Sequence, residues 1–203
     1  MAQVAHILFD LGGVVLRAKK QMTPLVMSLA FKLPVDVTQS LYQTTVGNWR
    51  IGKITGKECI ARIKFQYNLK ESPEELLQRY TEAYAQLSEI DEDMTRLIDR
   101  LRSGYTVSAF SNMVDIHVDV NENRGVYSHF DYVFVSCRMG VAKPDPAAYA
   151  FVTKALKADP SECLFIDDTM ENIRAAQSFG MKTYAFDSRE HVEDFLRKEL
   201  VYS

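Results

Sequence analysis

Three short apolar runs in this chain end in residues that can do chemistry. Asp10 follows residues 4–9, Ser111 and Asn112 follow residues 105–110, and Asp167 with Asp168 follow residues 163–166. Lys143 lies in a loop beyond a fourth run, residues 132–135. A carboxylate can serve as a nucleophile, a hydroxyl and an ammonium can hold phosphate oxygens, and further carboxylates can bind a hard divalent cation. Taken singly each signal is weak. An apolar run ending in Asp is common, Lys143-Pro144-Asp145-Pro146 suits a loop entering a helix, and Asp167 or Asp168 could cap a helix starting at Met170.

These residues share a site only if the runs are neighbouring strands. Residues 4–9, 105–110, 132–135, 163–166 and 182–186 are short and apolar or β-branched, as expected for strands buried on both faces. Helical patterns fill the later gaps, at 146–156, 170–179 (followed by Gly180) and 188–200. Strands alternating with helices predict right-handed crossovers and an α/β fold, a doubly wound parallel sheet. Residues 23–88 differ, with helical periodicity and only weak strand signals. Ser72-Pro73-Glu74-Glu75 reads as a helix start with a capping box. The expected organisation is therefore a sheet domain formed by residues 1–16 and 91–203, interrupted by a helical cap at 17–90. Ligands bind at the carboxyl ends of strands in such sheets, so the insertion would roof the site.

In this order the motifs resemble those of the haloacid dehalogenase superfamily. They are Phe9-Asp10-Leu11-Gly12-Gly13-Val14-Val15, Phe110-Ser111-Asn112, Gly140-Val141-Ala142-Lys143-Pro144-Asp145-Pro146 and Phe165-Ile166-Asp167-Asp168. The insertion is similar to the helical cap of subfamily I, and the Asp-Leu-Gly form to its glucose-1-phosphatase-like members. The resemblance implies a Mg²⁺-dependent phosphohydrolase acting on a small phosphorylated metabolite, with a sugar phosphate one option. Asp10 would attack phosphorus and form an aspartyl-phosphate that water hydrolyses. Asp10, the backbone carbonyl of Gly12, Asp167 and Asp168 would serve the metal. Ser111, the Asn112 amide and Lys143 would hold the phosphoryl oxygens, and Lys143 would also keep Asp10 ionised. Asn172 could orient the acidic pair or be an ordinary polar helix residue.

One position departs from the pattern. Many phosphatases of this family carry a second Asp two residues after the nucleophile, as general acid and base; this chain has Gly12. Such a group contributes about 10² to 10⁴ in rate, so its loss weakens turnover most for leaving groups of high pKa. The same change argues against a phosphomutase. It leaves a weakly active or inactive relative with a binding or regulatory role as an alternative. A 2-haloacid dehalogenase ranks lower, because its metal-free chemistry does not call for an acidic pair.

Within the insertion, Asn48-Trp49-Arg50 and Gly52-Lys53-Ile54-Thr55 combine an aromatic, two cations and turn residues. Arg50 or Lys53 could meet a sugar or second anion, or Trp49 could pack in a core with solvated cations beside it. His6, His117, His129 and His191 share no spacing and receive no chemical role. Cys59, Cys137 and Cys163 are too widely spaced for a disulfide framework or zinc site and read as reduced, mostly buried hydrophobes. With 27 acidic and 24 basic residues interleaved, the net charge of −3 offers no basic stripe for nucleic acid. The apolar start, residues 1–9, is too short for a signal peptide, and no segment reaches membrane-spanning length. These features predict a cytoplasmic protein, monomer or weak dimer, with no nucleic-acid or membrane partner.

Overall fold

Ile7, Leu8 and Phe9 of the central strand are all apolar because both faces of the sheet are covered there. The computed structural model describes residues 3–18 and 22–200; residues 1–2, 19–21 and 201–203 of the expected segments lie outside the described residues. In chain order the strands are β1 (His6–Phe9), β2 (Leu16–Ala18), β3 (Ser88–Ile90), β4 (Thr106–Ser111), β5 (Tyr132–Val135), β6 (Cys163–Asp167) and β7 (Lys182–Ala185). The helices are α1 (Met22–Phe31), α2 (Val35–Arg50), α3 (Gly56–Gln66), α4 (Pro73–Leu87), α5 (Glu92–Leu101), α6 (Asp115–Asn123), α7 (Ser136–Met139), α8 (Pro146–Leu156), α9 (Met170–Ser178) and α10 (Arg189–Glu199).

Five strands form a parallel sheet in the order β5-β4-β1-β6-β7. Successive side chains of a strand point to opposite faces, and the two apolar layers show it. Ile7 and Phe9 of β1, Val107 and Ala109 of β4, and Leu164 and Ile166 of β6 pack on one face with Met94, Leu97, Ile98 and Leu101 of α5 and Val192 and Leu196 of α10. Leu8, Phe110, Cys163 and Phe165 take the other face with Tyr149 and Val152 of α8 and Ile173 of α9. Each large side chain so buried contributes about 1.5–3 kcal/mol. This is the doubly wound α/β sheet expected from the alternation of strands and helices.

From β1 the chain winds through β4 to one edge, then returns to β6 on the other side of β1. The crevice for ligands therefore opens at the carboxyl end of β1, where Asp10 sits.

Helices α1 to α4 gather a separate apolar cluster that includes Phe31, Trp49, Ile60 and Tyr80, and that also receives Val114 and Ile116 from the sheet domain. Ser72 and Glu75 form the capping box expected for α4, with reciprocal bonds of 3.1 and 2.8 Å. One element was not anticipated. β2 and β3 pair antiparallel, Leu16 opposite Ile90 and Arg17 opposite Glu89, at the two ends of the inserted helices. Three-residue strands carry too little pattern to be read from sequence. The ribbon is closed by the Asp91 amide donating to the Val15 carbonyl at 2.9 Å and by Arg17 Nε on Asp91 at 3.0 Å. No helix among the described residues is long and apolar enough to cross a membrane.

Candidate active site

The register of the sheet brings the strand-end residues together. Asp10 is the first residue past β1, and its amide donates to the Ile166 carbonyl of β6 at 2.8 Å. Ser111 and Asp167 are the last residues of β4 and β6. Lys143 reaches in from the loop before α8 and is 2% exposed. Its Nζ donates to Asp10 Oδ1 at 2.9 Å, Asp167 Oδ2 at 2.6 Å and the Phe110 carbonyl at 2.8 Å. All three ammonium protons thus have acceptors. The same nitrogen lies about 5 Å from the ring centres of Phe110 and Phe165.

Burial alone would strip the charge from this lysine, but Asp10 and Asp167 reverse that and raise its pKa. Asp10 responds to the same surroundings. Burial pushes its carboxyl up, Lys143 pulls it down, Asp167 pushes it up again, and the result is about 6. The Ser111 hydroxyl also bonds Asp10 and favours its ionised form.

Two amide side chains hold the cluster in place. Asn112 Nδ2 donates to the Lys143 carbonyl at 2.7 Å, and the Lys143 amide donates to Asn112 Oδ1 at 2.9 Å. This reciprocal pair ties the lysine loop to the end of β4. Asn172 Nδ2 donates to both oxygens of Asp167, at 3.2 and 3.0 Å, which favours the orienting reading of Asn172. The Thr169 amide adds a third donor to Asp167, at 2.7 Å. Thr169 is the N-cap residue of α9 and its side chain makes no capping bond, so the bond from its amide to Asp167 lies at the entrance of that helix.

Asp10, Asp167 and Asp168 each offer a carboxylate oxygen within 4.8 Å of the others. A cluster of hard oxygen donors fits Mg²⁺. Asp167 is fully buried, and its oxygens already accept from Lys143, Asn172 and Thr169. Of the three, Asp10 and Asp168 line the cavity beside them.

The two glycines that follow have opposite characters. A Cβ at Gly12 would meet nothing within 4 Å. Gly13 has φ +83°, and a Cβ there would lie 2.5 Å from Asp168 Oδ2. Gly13 is thus required by the position of Asp168, a role that only the doubled glycine after Asp10 could have hinted at.

The cavity, about 820 Å³, reaches from these residues to the inserted helices, and its wall there includes Met22, Thr23, Tyr42, Arg50 and Tyr84. Of the residues weighed for this wall, Arg50 lines it. Trp49 is 2% exposed in the helical cluster, with its indole donating to Asp115 at 2.6 Å, and Lys53 is not among the lining residues. His117 lies in the wall although its spacing gave no sign of it. Its ring stacks on Tyr84 at 3.8 Å and its Nε2 meets the Tyr80 hydroxyl at 3.0 Å. Burial lowers its pKa to about 3, so it is neutral near pH 7. The cysteines are free, and burial raises all three thiols, Cys59 to about 12 and Cys137 and Cys163 to about 11, which removes them as nucleophiles.

Comparison with known proteins finds relatives of the chain. The profile of a haloacid dehalogenase-like hydrolase family matches residues 4–180. A sesquiterpene phosphatase of Aspergillus oryzae is 29% identical over 178 residues, 86% of this chain and 85% of that protein. Bifunctional epoxide hydrolase 2 of Rattus norvegicus is 46% identical over 55 residues, 27% of this chain; the match spans only 10% of that longer protein. A haloacid dehalogenase family enzyme from Bacteroides thetaiotaomicron, crystallised with magnesium and inorganic phosphate, superposes with a TM-score of 0.79 at 25% identity, over 93% of this chain and 98% of the other.

Proposed function

Because the chain belongs to the haloacid dehalogenase-like hydrolase family, we propose that it is a Mg²⁺-dependent phosphatase acting on a small phosphorylated metabolite through an aspartyl-phosphate on Asp10. One observation carries the reading: a single buried ammonium, Lys143, bridges Asp10 and Asp167, with Asp168 close enough to complete an oxygen-donor cluster. The phosphatase relative and the neighbour crystallised with magnesium and phosphate support it.

In this mechanism an Asp10 oxygen attacks phosphorus, the bond to the leaving oxygen breaks, and that oxygen takes a proton from solvent. Water then attacks the aspartyl-phosphate phosphorus, releasing phosphate and restoring Asp10. Lys143 keeps Asp10 ionised and neutralises charge, while the Ser111 hydroxyl and the Asn112 amide donate to the phosphoryl oxygens. Asp10, Asp168 and the Gly12 carbonyl would hold Mg²⁺, with Asp167 supporting the set from behind. When bound, the ion offsets repulsion between carboxylate and phosphate dianion. Residues 17–90 serve as the cap that roofs the substrate cavity. Without a carboxyl at Gly12, good leaving groups are favoured, among them anomeric sugar phosphates.

The test is turnover of 4-nitrophenyl phosphate. Phosphate release is expected with Mg²⁺ and should cease in excess chelator. Full activity in chelator would remove the metal, and halide release from 2-chloropropionate would then establish the dehalogenase reading. Absence of turnover with Mg²⁺ would favour the binding or regulatory role that Gly12 leaves open.

A further inference from the structure

We propose that Arg50 is a subsite for a second anionic group, a carboxylate or phosphate carried by the leaving-group half of the substrate. The inference rests on the phosphatase reading above and adds the substrate's charge class to it. The charges around the cavity are divided between its two sides. The acids Asp10, Asp168 and Glu171 lie on the sheet-domain side with Lys143, and the inserted helices contribute one charged residue to the described wall, Arg50. Lys143 is engaged by two carboxylates. Arg50 forms no ion pair among the described residues, and its Nε is buried without a hydrogen-bond acceptor. A buried guanidinium N–H left unbonded is costly, and the acceptor is naturally supplied by whatever fills the cavity.

The position of this arginine is built. Ser136, fully buried, donates from Oγ to the Arg50 carbonyl at 2.6 Å and accepts from the Met113 amide at 3.0 Å. Next to it, the Trp49 indole is held by Asp115. The backbone that carries Arg50 is therefore fixed to the loop following Ser111 and Asn112, which presents phosphate ligands. A planar fork of N–H donors held at a set place suits bidentate recognition of an oxyanion. A cavity of about 820 Å³ lies within the ~300–1,000 Å³ range of small-molecule sites, well beyond the needs of phosphate alone. The neutral Tyr84–His117 stack offers a flat apolar surface on the same wall.

Pairs of aryl phosphates test this: 3-carboxyphenyl, 4-carboxyphenyl and 4-(carboxymethyl)phenyl phosphate, each against its primary amide. The wild-type protein is expected to prefer at least one carboxylate over its amide by about tenfold to a hundredfold in kcat/KM, the scale of a charge-assisted hydrogen bond. Arg50→Gln should collapse that ratio through KM, because the second anion is bound alike in ground and transition states. Arg50→Lys should keep part of the preference. Wild-type ratios near one for every pair overturn the inference. So does an equal loss on carboxylate and amide in Arg50→Gln, which would place Arg50 on the transferred phosphoryl group. If the wild-type protein turns over none of these esters, calorimetric binding of the same pairs decides for Arg50: a carboxylate preference lost in Arg50→Gln upholds the subsite, and equal affinities overturn it; the phosphatase reading falls only if 4-nitrophenyl phosphate is not turned over either.

Discussion

Gly12→Asp supplies the carboxyl that many phosphatases of the family carry two residues after the position of Asp10, and the structure leaves room for it. Gly12 is not in the left-handed backbone region, and its added Cβ would meet nothing within 4 Å. The new side chain would enter a cavity already lined by Asp10 and Asp168. Two unit charges ~6 Å apart repel by about 3 kcal/mol at an effective dielectric of 20, so the added carboxyl should have a raised pKa and stay partly protonated near neutrality. That is the state a general acid needs. A well-placed acid is worth about 10² to 10⁴ in rate, or roughly 3–5.5 kcal/mol of barrier. The gain should fall on alkyl phosphates, whose alkoxides leave badly, and be small for aryl phosphates. Single-turnover quench measurements across esters from 4-nitrophenol to a primary alcohol separate this chemical step from product release. The wild-type rate should drop steeply along that series, and Gly12→Asp should flatten it. The variant must first show wild-type melting behaviour and Mg²⁺ dependence. If wild-type alkyl and aryl rates are already alike, another group supplies the proton and the account of Gly12 fails; an equal acceleration of both classes would also refute it.

Asp10→Asn is expected to cut turnover by ~10⁴-fold or more while the protein still folds, since Lys143 keeps Asp167 and the Phe110 carbonyl as acceptors; a variant retaining most of the wild-type rate excludes the covalent route. Gly13→Ala should raise the Mg²⁺ concentration needed for half activity by about tenfold or more, because its methyl displaces Asp168; an unchanged metal titration would separate Asp168 from the ion. His117 predicts a pH effect on stability rather than rate. Its folded-state pKa of about 3 lies below the ordinary 6.5, so between these values the unfolded chain takes up a proton that the folded protein refuses. Stability is therefore complete above pH ~6.5 and lost on acidification, by up to about 1.4 kcal/mol per pH unit from this residue. Urea unfolding from pH 7.5 to 4.5 should show a shallower pH slope in His117→Gln, and parallel slopes would mean that His117 takes up its proton in the folded state.

The positions of the chemical residues were legible because burial and chemistry fall on different parts of each strand. A strand covered on both faces is largely apolar, as in Ile7-Leu8-Phe9 and Leu164-Phe165-Ile166, so a charged residue at its end stands out. What could not be read depends on side-chain direction. The sequence places Asp167 and Asp168 together, but only the fold shows that Asp167 turns inward to Lys143, Asn172 and Thr169. Likewise Arg50 and Lys53 carry the same charge three residues apart, and only the end of α2 against Ser136 determines which faces the cavity. His117 is one turn beyond Val114 on α6, and its place in the wall follows from the packing of α4 on α6, a contact between segments far apart in sequence.

That packing also bears on how recognition is joined to chemistry. Asp115, the first residue of α6, accepts from the Trp49 indole and from the Gly56 amide, at 2.6 and 2.9 Å. Gly56 is packed against Ile116, where a Cβ would clash, and Gly52 (φ +71°) is packed as closely against the Cys137 carbonyl. The segment from Trp49 to Gly56, which carries Arg50, is therefore keyed into the sheet domain by two glycines, an aspartate and a serine. The sheet-domain residues in these contacts, Asp115, Ile116, Ser136 and Cys137, come from α6 and α7, which begin soon after Ser111 and directly after Val135. The β4 end that carries Ser111 and Asn112, the phosphate ligands of the proposed mechanism, thus leads within a few residues to groups that locate Arg50. A displacement of either wall must break the part-buried hydrogen bonds that join them, so the distance between the proposed phosphate site and the arginine is set by these contacts with the sheet domain.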